Sequence, residues 1–121
     1  MNKKNILVVD DSEFVRKIVQ AELGGNYNVI QAENGKEALE LLYTNAVSLI
    51  ICDIIMPIMD GYEFVKLIKN DDNLKNIPVI MLTTESYDYT KSDFEKLGVA
   101  EYLVKPINSE KLNEVINKVL S

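Results

Sequence analysis

The chain has 121 residues, 47% of them hydrophobic and 26% charged, which suits one globular domain and excludes a disordered polymer. The net charge is −6, which argues against direct nucleic-acid binding, and histidine is absent, which excludes a histidine triad, a zinc–histidine site or a phosphohistidine on this chain. The single cysteine, Cys52, excludes an internal disulfide and suits a reducing, cytoplasmic setting; no apolar run nears the roughly 20 residues of a membrane helix, and the basic start at Met1–Asn5 lacks the apolar region of a signal peptide, so no membrane insertion is expected.

Apolar runs and helical patterns alternate from end to end. Asn5 to Asp10 reads as a buried strand closing on an acid. Ser12 to Leu23 carries Phe14, Val15, Ile18 and Val19 at helical spacing, and Gly24-Gly25-Asn26 stops it. Tyr27 to Ala32 is a second strand. Asn34 is an N-cap with Glu37 three residues on, and Ala38, Leu41 and Leu42 continue one face. Val47 to Cys52 is a third strand, apolar enough to be covered on both sides. Asp53 to Gly61 is a loop punctuated by Pro57 and Gly61. Tyr62 to Asn70 places Phe64, Val65 and Ile68 on one helical face. Pro78 to Thr83 is a fourth strand, Tyr87 to Leu97 a helix of modest propensity capped by Gly98, and Ala100 to Val104 a fifth strand. Ser109 to Leu120 closes the chain, with Leu112, Val115, Ile116 and Val119 facing inward.

Five βα units predict an α/β fold: a parallel sheet with right-handed crossovers and helices on both faces. Ligands of such sheets bind at the carboxyl ends of the strands. Asp10 and Asp11 follow the first strand, Asp53 the third, Thr83-Thr84 end the fourth and Lys105-Pro106 the fifth. Taken singly, each has a plainer reading: an N-cap for Asp10-Asp11, a turn residue for Asp53, packing for Thr83, a solvated charge for Lys105. Met56 and Met59 read as core fillers and Cys52 as a structural thiol. Together they put three carboxylates, a hydroxyl and an ammonium on one edge. Crowded carboxylates repel unless a cation joins them, and oxygen-only ligands favour a hard ion such as Mg²⁺. A lysine and a hydroxyl can then hold phosphate oxygens, so the set suits phosphoryl transfer, with an aspartate as acceptor.

The segments VVDDS (8–12), CDIIMPIMDG (52–61), MLTTE (81–85) and YLVKP (102–106), together and in order, resemble the receiver domain of bacterial response regulators (CheY-like). The resemblance spans the chain. It implies a single receiver domain over residues 1–121 and a flavodoxin-like, doubly wound (βα)5 sheet of order 2-1-3-4-5, an order that alternation alone does not supply. Carried over by residue, it implies Asp53 as phosphoacceptor and a metal site of Asp10, Asp11, Asp53 and the backbone carbonyl of Ile55. Mg²⁺ would be the ion, with Mn²⁺ as a substitute. Thr83 and Lys105 would contact the phosphoryl group, Thr83 moving onto it once it arrives. Pro106 would follow a cis bond, and Tyr102 would be the switch aromatic, turning inward. Thr84 is small, as the family prefers. Ile55 and Glu85 would tune the lifetime of the acyl phosphate, and a bulky Ile55 predicts slow self-dephosphorylation.

The implied partners are a sensor histidine kinase or a histidine phosphotransfer protein as donor and a downstream protein as target, with the chain a monomer or weak dimer. It is expected to be a signalling switch rather than an enzyme, although it assists its own phosphorylation and dephosphorylation. A chemotaxis-type regulator, a phosphorelay intermediate and a receiver cut from a larger regulator all fit. An aspartate-nucleophile phosphatase fits less well, because Ile55 stands where its second aspartate belongs, and a nucleotide-binding domain would want glycines where Asp10-Asp11-Ser12 stand.

Overall fold

The strands form from short runs rich in apolar residues, and the alternation of their side chains decides which helix they meet. The computed structural model describes residues 3–84 and 88–121. In β1 (Asn5–Val9), Leu7 and Val9 face one layer while Ile6 and Val8 face the other. The first layer is built with Ala38 and Leu42 of α2 (Gly35–Thr44), Phe64, Val65 and Ile68 of α3 (Gly61–Lys69) and Phe94 of α4 (Lys91–Leu97). The second is built with Val19 and Leu23 of α1 (Glu13–Leu23) and Leu112, Val115 and Ile116 of α5 (Ser109–Leu120).

The five strands are parallel and run in the order β2 (Asn28–Ala32), β1, β3 (Leu49–Cys52), β4 (Val79–Thr83), β5 (Glu101–Val104), the flavodoxin-like order expected. Every residue of β3 and β4 is buried, as a strand covered on both faces requires. The strands begin a residue or two later than the apolar runs, at Asn28, Leu49, Val79 and Glu101. No helix among the described residues is long and apolar enough to cross a membrane.

Two readings need correction. The helix expected from Tyr87 begins at Lys91: Thr90 is its N-cap, sharing a reciprocal capping box with Asp93, and Tyr87 lies outside the described residues. A capping threonine bonds the first turn from outside the helix, so a periodicity that counts it as interior overshoots. On α1, Phe14 is 72% exposed, whereas the buried face is Arg16, Val19 and Leu23. The other helix ends follow the sequence: Asn34 caps α2 through the Glu37 amide, and Gly98 ends α4 in the left-handed region at φ 88°.

Candidate functional site

Strand register brings the acids together. Val9 pairs with Ala32 on one side and Cys52 on the other, so Asp10 and Asp53 leave the sheet side by side. The ladder continues into both: the Asp10 amide donates to Ala32 O at 3.0 Å, and the Asp53 amide to Val9 O at 2.9 Å. Across the next two strands, the Lys105 amide donates to Thr83 O at 2.8 Å. Gly61 lets the β3–α3 loop fold back over the acceptor strand. Its amide donates to Ile54 O at 2.7 Å, and a Cβ at this position would overlap the carbonyl oxygen of Asp53.

The side chains form one network. Asp10 Oδ1 accepts from the Ser12 amide at 2.9 Å, and Oδ2 from Lys105 Nζ at 2.8 Å. The same ammonium reaches Asp53 Oδ2 at 3.3 Å. Asp53 Oδ1 accepts from the Ile54 amide at 2.7 Å and from the Thr83 hydroxyl at 2.6 Å. The hydroxyl has one proton and a second acceptor, Thr84 O at 2.9 Å; the carboxylate is the shorter bond and the charged one. Asp10, Asp53 and Thr83 are all buried.

Two carboxylates thus share one ammonium. Burial pushes the Asp10 carboxyl above its ordinary value, and the nearby negative charge of Asp53 adds to this, against the Lys105 and Ser12 bonds that pull it down. Burial alone would lower the Lys105 ammonium, but its bond to Asp10 and the charge of Asp53 outweigh that and hold it above the usual lysine range. The site is short of positive charge, the condition under which a divalent cation is welcome. Asp10, Asp11 and Asp53 can each turn a carboxylate oxygen to within 4.8 Å of the others. This all-oxygen donor set fits a hard ion. Asp11 is exposed, and among the described residues its carboxylate has no hydrogen-bond or ion-pair partner, so it is ready to take a ligand.

The remaining residues fall around this centre. Ile55, in the loop after Asp53, is 51% exposed, and Ile58 is exposed with φ 71°. Phe14, Val15, Ile18, Pro106 and Ile107 line a cleft of about 300 Å³ beside Lys105. The Lys105–Pro106 bond is cis. Tyr102 is half-buried on β5, its ring centroid 5.9 Å from that of Phe94. Glu85 lies outside the described residues. Burial pushes the Cys52 thiol well up, so it is an inert core group, and Met56 and Met59 fill core space as expected.

The plain N-cap reading of Asp10-Asp11 fails, because the cap of α1 is Ser12, which accepts from Val15 N. Lys105 is not a solvated charge, since its side chain is only 15% exposed and paired twice. Sequence reasoning missed Arg16, whose Nη1 donates to Asp10 O at 2.7 Å, because an arginine on an amphipathic helix ordinarily marks the wet face. It also missed Tyr89, whose hydroxyl donates to Asp60 Oδ2 at 3.0 Å while Asp60 caps α3 and the ring stacks on Tyr62 with centroids 4.7 Å apart. Nothing local in the sequence pairs residues 60 and 89.

Residues 6–117 match the family model described as the response regulator receiver domain. The chemotaxis protein CheY1 of Helicobacter pylori is 41% identical over 118 residues, covering 95% of each chain. The protein named histidine kinase P4 of Formosa agariphila is 40% identical across 98% of this chain, which spans only 9% of that kinase. Among solved structures, chemotaxis response regulator CheY4 of Vibrio cholerae superposes with a TM-score of 0.88 at 37% identity, over 98% of this chain and 100% of that one. A response regulator of Thermotoga maritima, solved in complex with Mg(2+)-BeF, superposes with a TM-score of 0.84 at 36% identity, over 97% and 99% of the two chains. With the sheet order, the acid cluster and these matches in agreement, the chain belongs to the receiver domain family of response regulators.

Proposed function

We propose that Asp53 accepts a phosphoryl group from the phosphohistidine of a sensor kinase or phosphotransfer protein. Residues 1–121 would act as one receiver in the cytoplasm, passing the signal by contact with a downstream protein. The observation that carries this reading is the convergence of Asp10, Asp11 and Asp53 with Lys105 and Thr83 on one strand edge. The Mg²⁺ complex of the Thermotoga relative supports the same ion here, held by Asp10, Asp11, Asp53 and the Ile55 carbonyl, with Mn²⁺ as a substitute. When bound, that ion neutralises charge on the transferring group and helps align it.

The chain's own residues do the rest. Asp53 Oδ1 is held by two short bonds, whereas among the described residues Oδ2 meets only Lys105, at 3.3 Å, so Oδ2 is the oxygen free to attack phosphorus. It bonds to phosphorus as the N–P bond of the donor breaks, and the imidazole leaves with the electron pair. Lys105 then turns from the carboxylates to an oxygen of the new acyl phosphate. Thr83 needs little travel, because its hydroxyl already lies on Asp53; it exchanges the carboxylate oxygen for a phosphoryl oxygen, and Tyr102 follows inward as the switch. Water attack on phosphorus restores the carboxylate and releases phosphate. Ile55 at the mouth obstructs that water and lengthens the signal.

The test is incubation with Mg²⁺ and acetyl phosphate, read by intact mass. The wild type gains one phosphoryl group and Asp53→Asn gains none; a gain in the variant, or none in the wild type, sinks the reading. A second reading, a receiver working inside a relay, is favoured by the match to a segment of the Formosa kinase. Transfer onward to a phosphotransfer protein rather than binding to a motor-type target would mark it.

A further inference from the structure

Among the described residues, the buried polar and charged side chains are Asp10, Arg16, Asn34, Asp53 and Thr83. Three belong to the site, and Asn34 caps α2. Arg16 is left, only 8% exposed and three times partnered. Nη1 donates to the backbone carbonyl of Asp10 at 2.7 Å, Nε donates to Gln31 Oε1 at 3.2 Å, and Nη2 lies 3.8 Å from Glu33. Gln31 sits on β2, so the guanidinium ties α1 and the edge strand of the sheet to the turn between β1 and α1.

The carbonyl it holds belongs to the peptide unit joining Asp10 to Asp11. All four polar groups of Asp10 are then fixed: the amide by Ala32, the carbonyl by Arg16, and the two carboxylate oxygens by Ser12 and Lys105. Among the described residues nothing restrains the Asp11 side chain in this way, and it depends on the peptide plane before it and the cap after it. Resting on the reading of the site as a Mg²⁺-dependent phosphoacceptor, we infer that Arg16 is a positioning residue: it clamps the Asp10–Asp11 peptide and so presents the Asp11 carboxylate to the divalent ion.

Two effects of this guanidinium oppose each other, and that makes the inference sharp. A positive charge near the acids repels a dication, whereas a clamp on the peptide favours it. The experiment is a Mg²⁺ titration of wild type and Arg16→Met followed by backbone amide resonances, with amide exchange at Asp11 measured in the metal-free proteins. Loss of the clamp weakens Mg²⁺ binding about tenfold, the low end of what outer-shell partners of metal ligands contribute, and speeds exchange at Asp11. The phosphorylation deficit then appears in the Mg²⁺ concentration required, and Arg16→Lys, with its charge and one donor, recovers part of the affinity. Tighter Mg²⁺ binding in Arg16→Met would make the residue a mere charge, and unchanged affinity with a lowered melting temperature would make it merely structural; either overturns the inference. Should Arg16→Met not fold, Gln31→Met removes the Nε acceptor with the guanidinium retained. It is expected to weaken binding by less than Arg16→Met does, and no change there overturns the clamp. A wild type that binds no Mg²⁺ removes the functional reading and the clamp together; a wild type that binds while the variants match it removes the clamp alone.

Discussion

The middle of the sheet and its β5 edge are built to opposite standards. The strands β3 and β4 are buried along their whole length, β1 is buried after its first residue, and they carry Asp10, Asp53 and Thr83. On β5, three residues are half-buried and Val104 is exposed, and the neighbouring α4 has seven residues with Phe94 alone fully buried. A phosphoryl acceptor must be held still, and a close-packed interior does that. A readout must move, and an element with few buried contacts opens at low cost. On the function proposed above, the fold would separate the two needs, with chemistry at the centre, response at the margin, and Thr83 and Lys105 adjoining both.

Removing the single anchor of the margin breaks this contrast most severely. Phe94 packs against Tyr62, Tyr89 and Tyr102 at centroid distances of 5.7, 6.0 and 5.9 Å. Phe94→Ala is expected to lower unfolding stability by about 3–5 kcal/mol in urea titrations, with amide exchange accelerated first in α4 and β5. Uniform acceleration across β3 would show that centre and margin unfold as one.

The next effect tests the link between the two regions. Lys105→Met leaves Asp10 and Asp53 facing each other without their ammonium. Its initial rate of phosphoryl uptake from acetyl phosphate should fall about 10²-fold, as for loss of one preorganised donor at a developing charge. A rate near that of the wild type would place the catalytic cation elsewhere.

The smallest effect concerns the loop joining β4 to α4. Burial and the bond to Asp60 push the Tyr89 phenol up to about 12 from an ordinary 10. A value raised by folding means that its stabilisation is whole below pH 10 and is lost as pH rises through about 12. Lys105, also raised, is lost in the same alkaline direction. Tyrosinate absorbance should include a late step that is lost in Tyr89→Phe and shifted toward 10 in Asp60→Asn. An unshifted late titration in Asp60→Asn would mean that the carboxylate does not hold this loop.

Much of this was legible beforehand, for a reason visible in particular residues. Parallel strands must deliver their last residues to one edge, so Asp10, Asp53, Thr83 and Lys105 could be grouped from alternation alone. Strand order could not, because β1 lies between β2 and β3 only through the choice of crossover direction, and the family resemblance supplied it. Arg16 and Phe14 exchanged the places their chemistry suggests, since a guanidinium offered three acceptors can be buried while a ring at the mouth of a site need not be. Thr83 already lies on Asp53, a detail of side-chain geometry that no periodicity encodes.

Asp10 and Lys105 stand 95 positions apart in the chain and 2.8 Å apart in space. A growing or partly unravelled copy therefore holds its acids without their counterion until the final strand docks. If Asp53 is the acceptor proposed above, only copies with that strand in place would carry the complete site, so assembly would have to precede signalling.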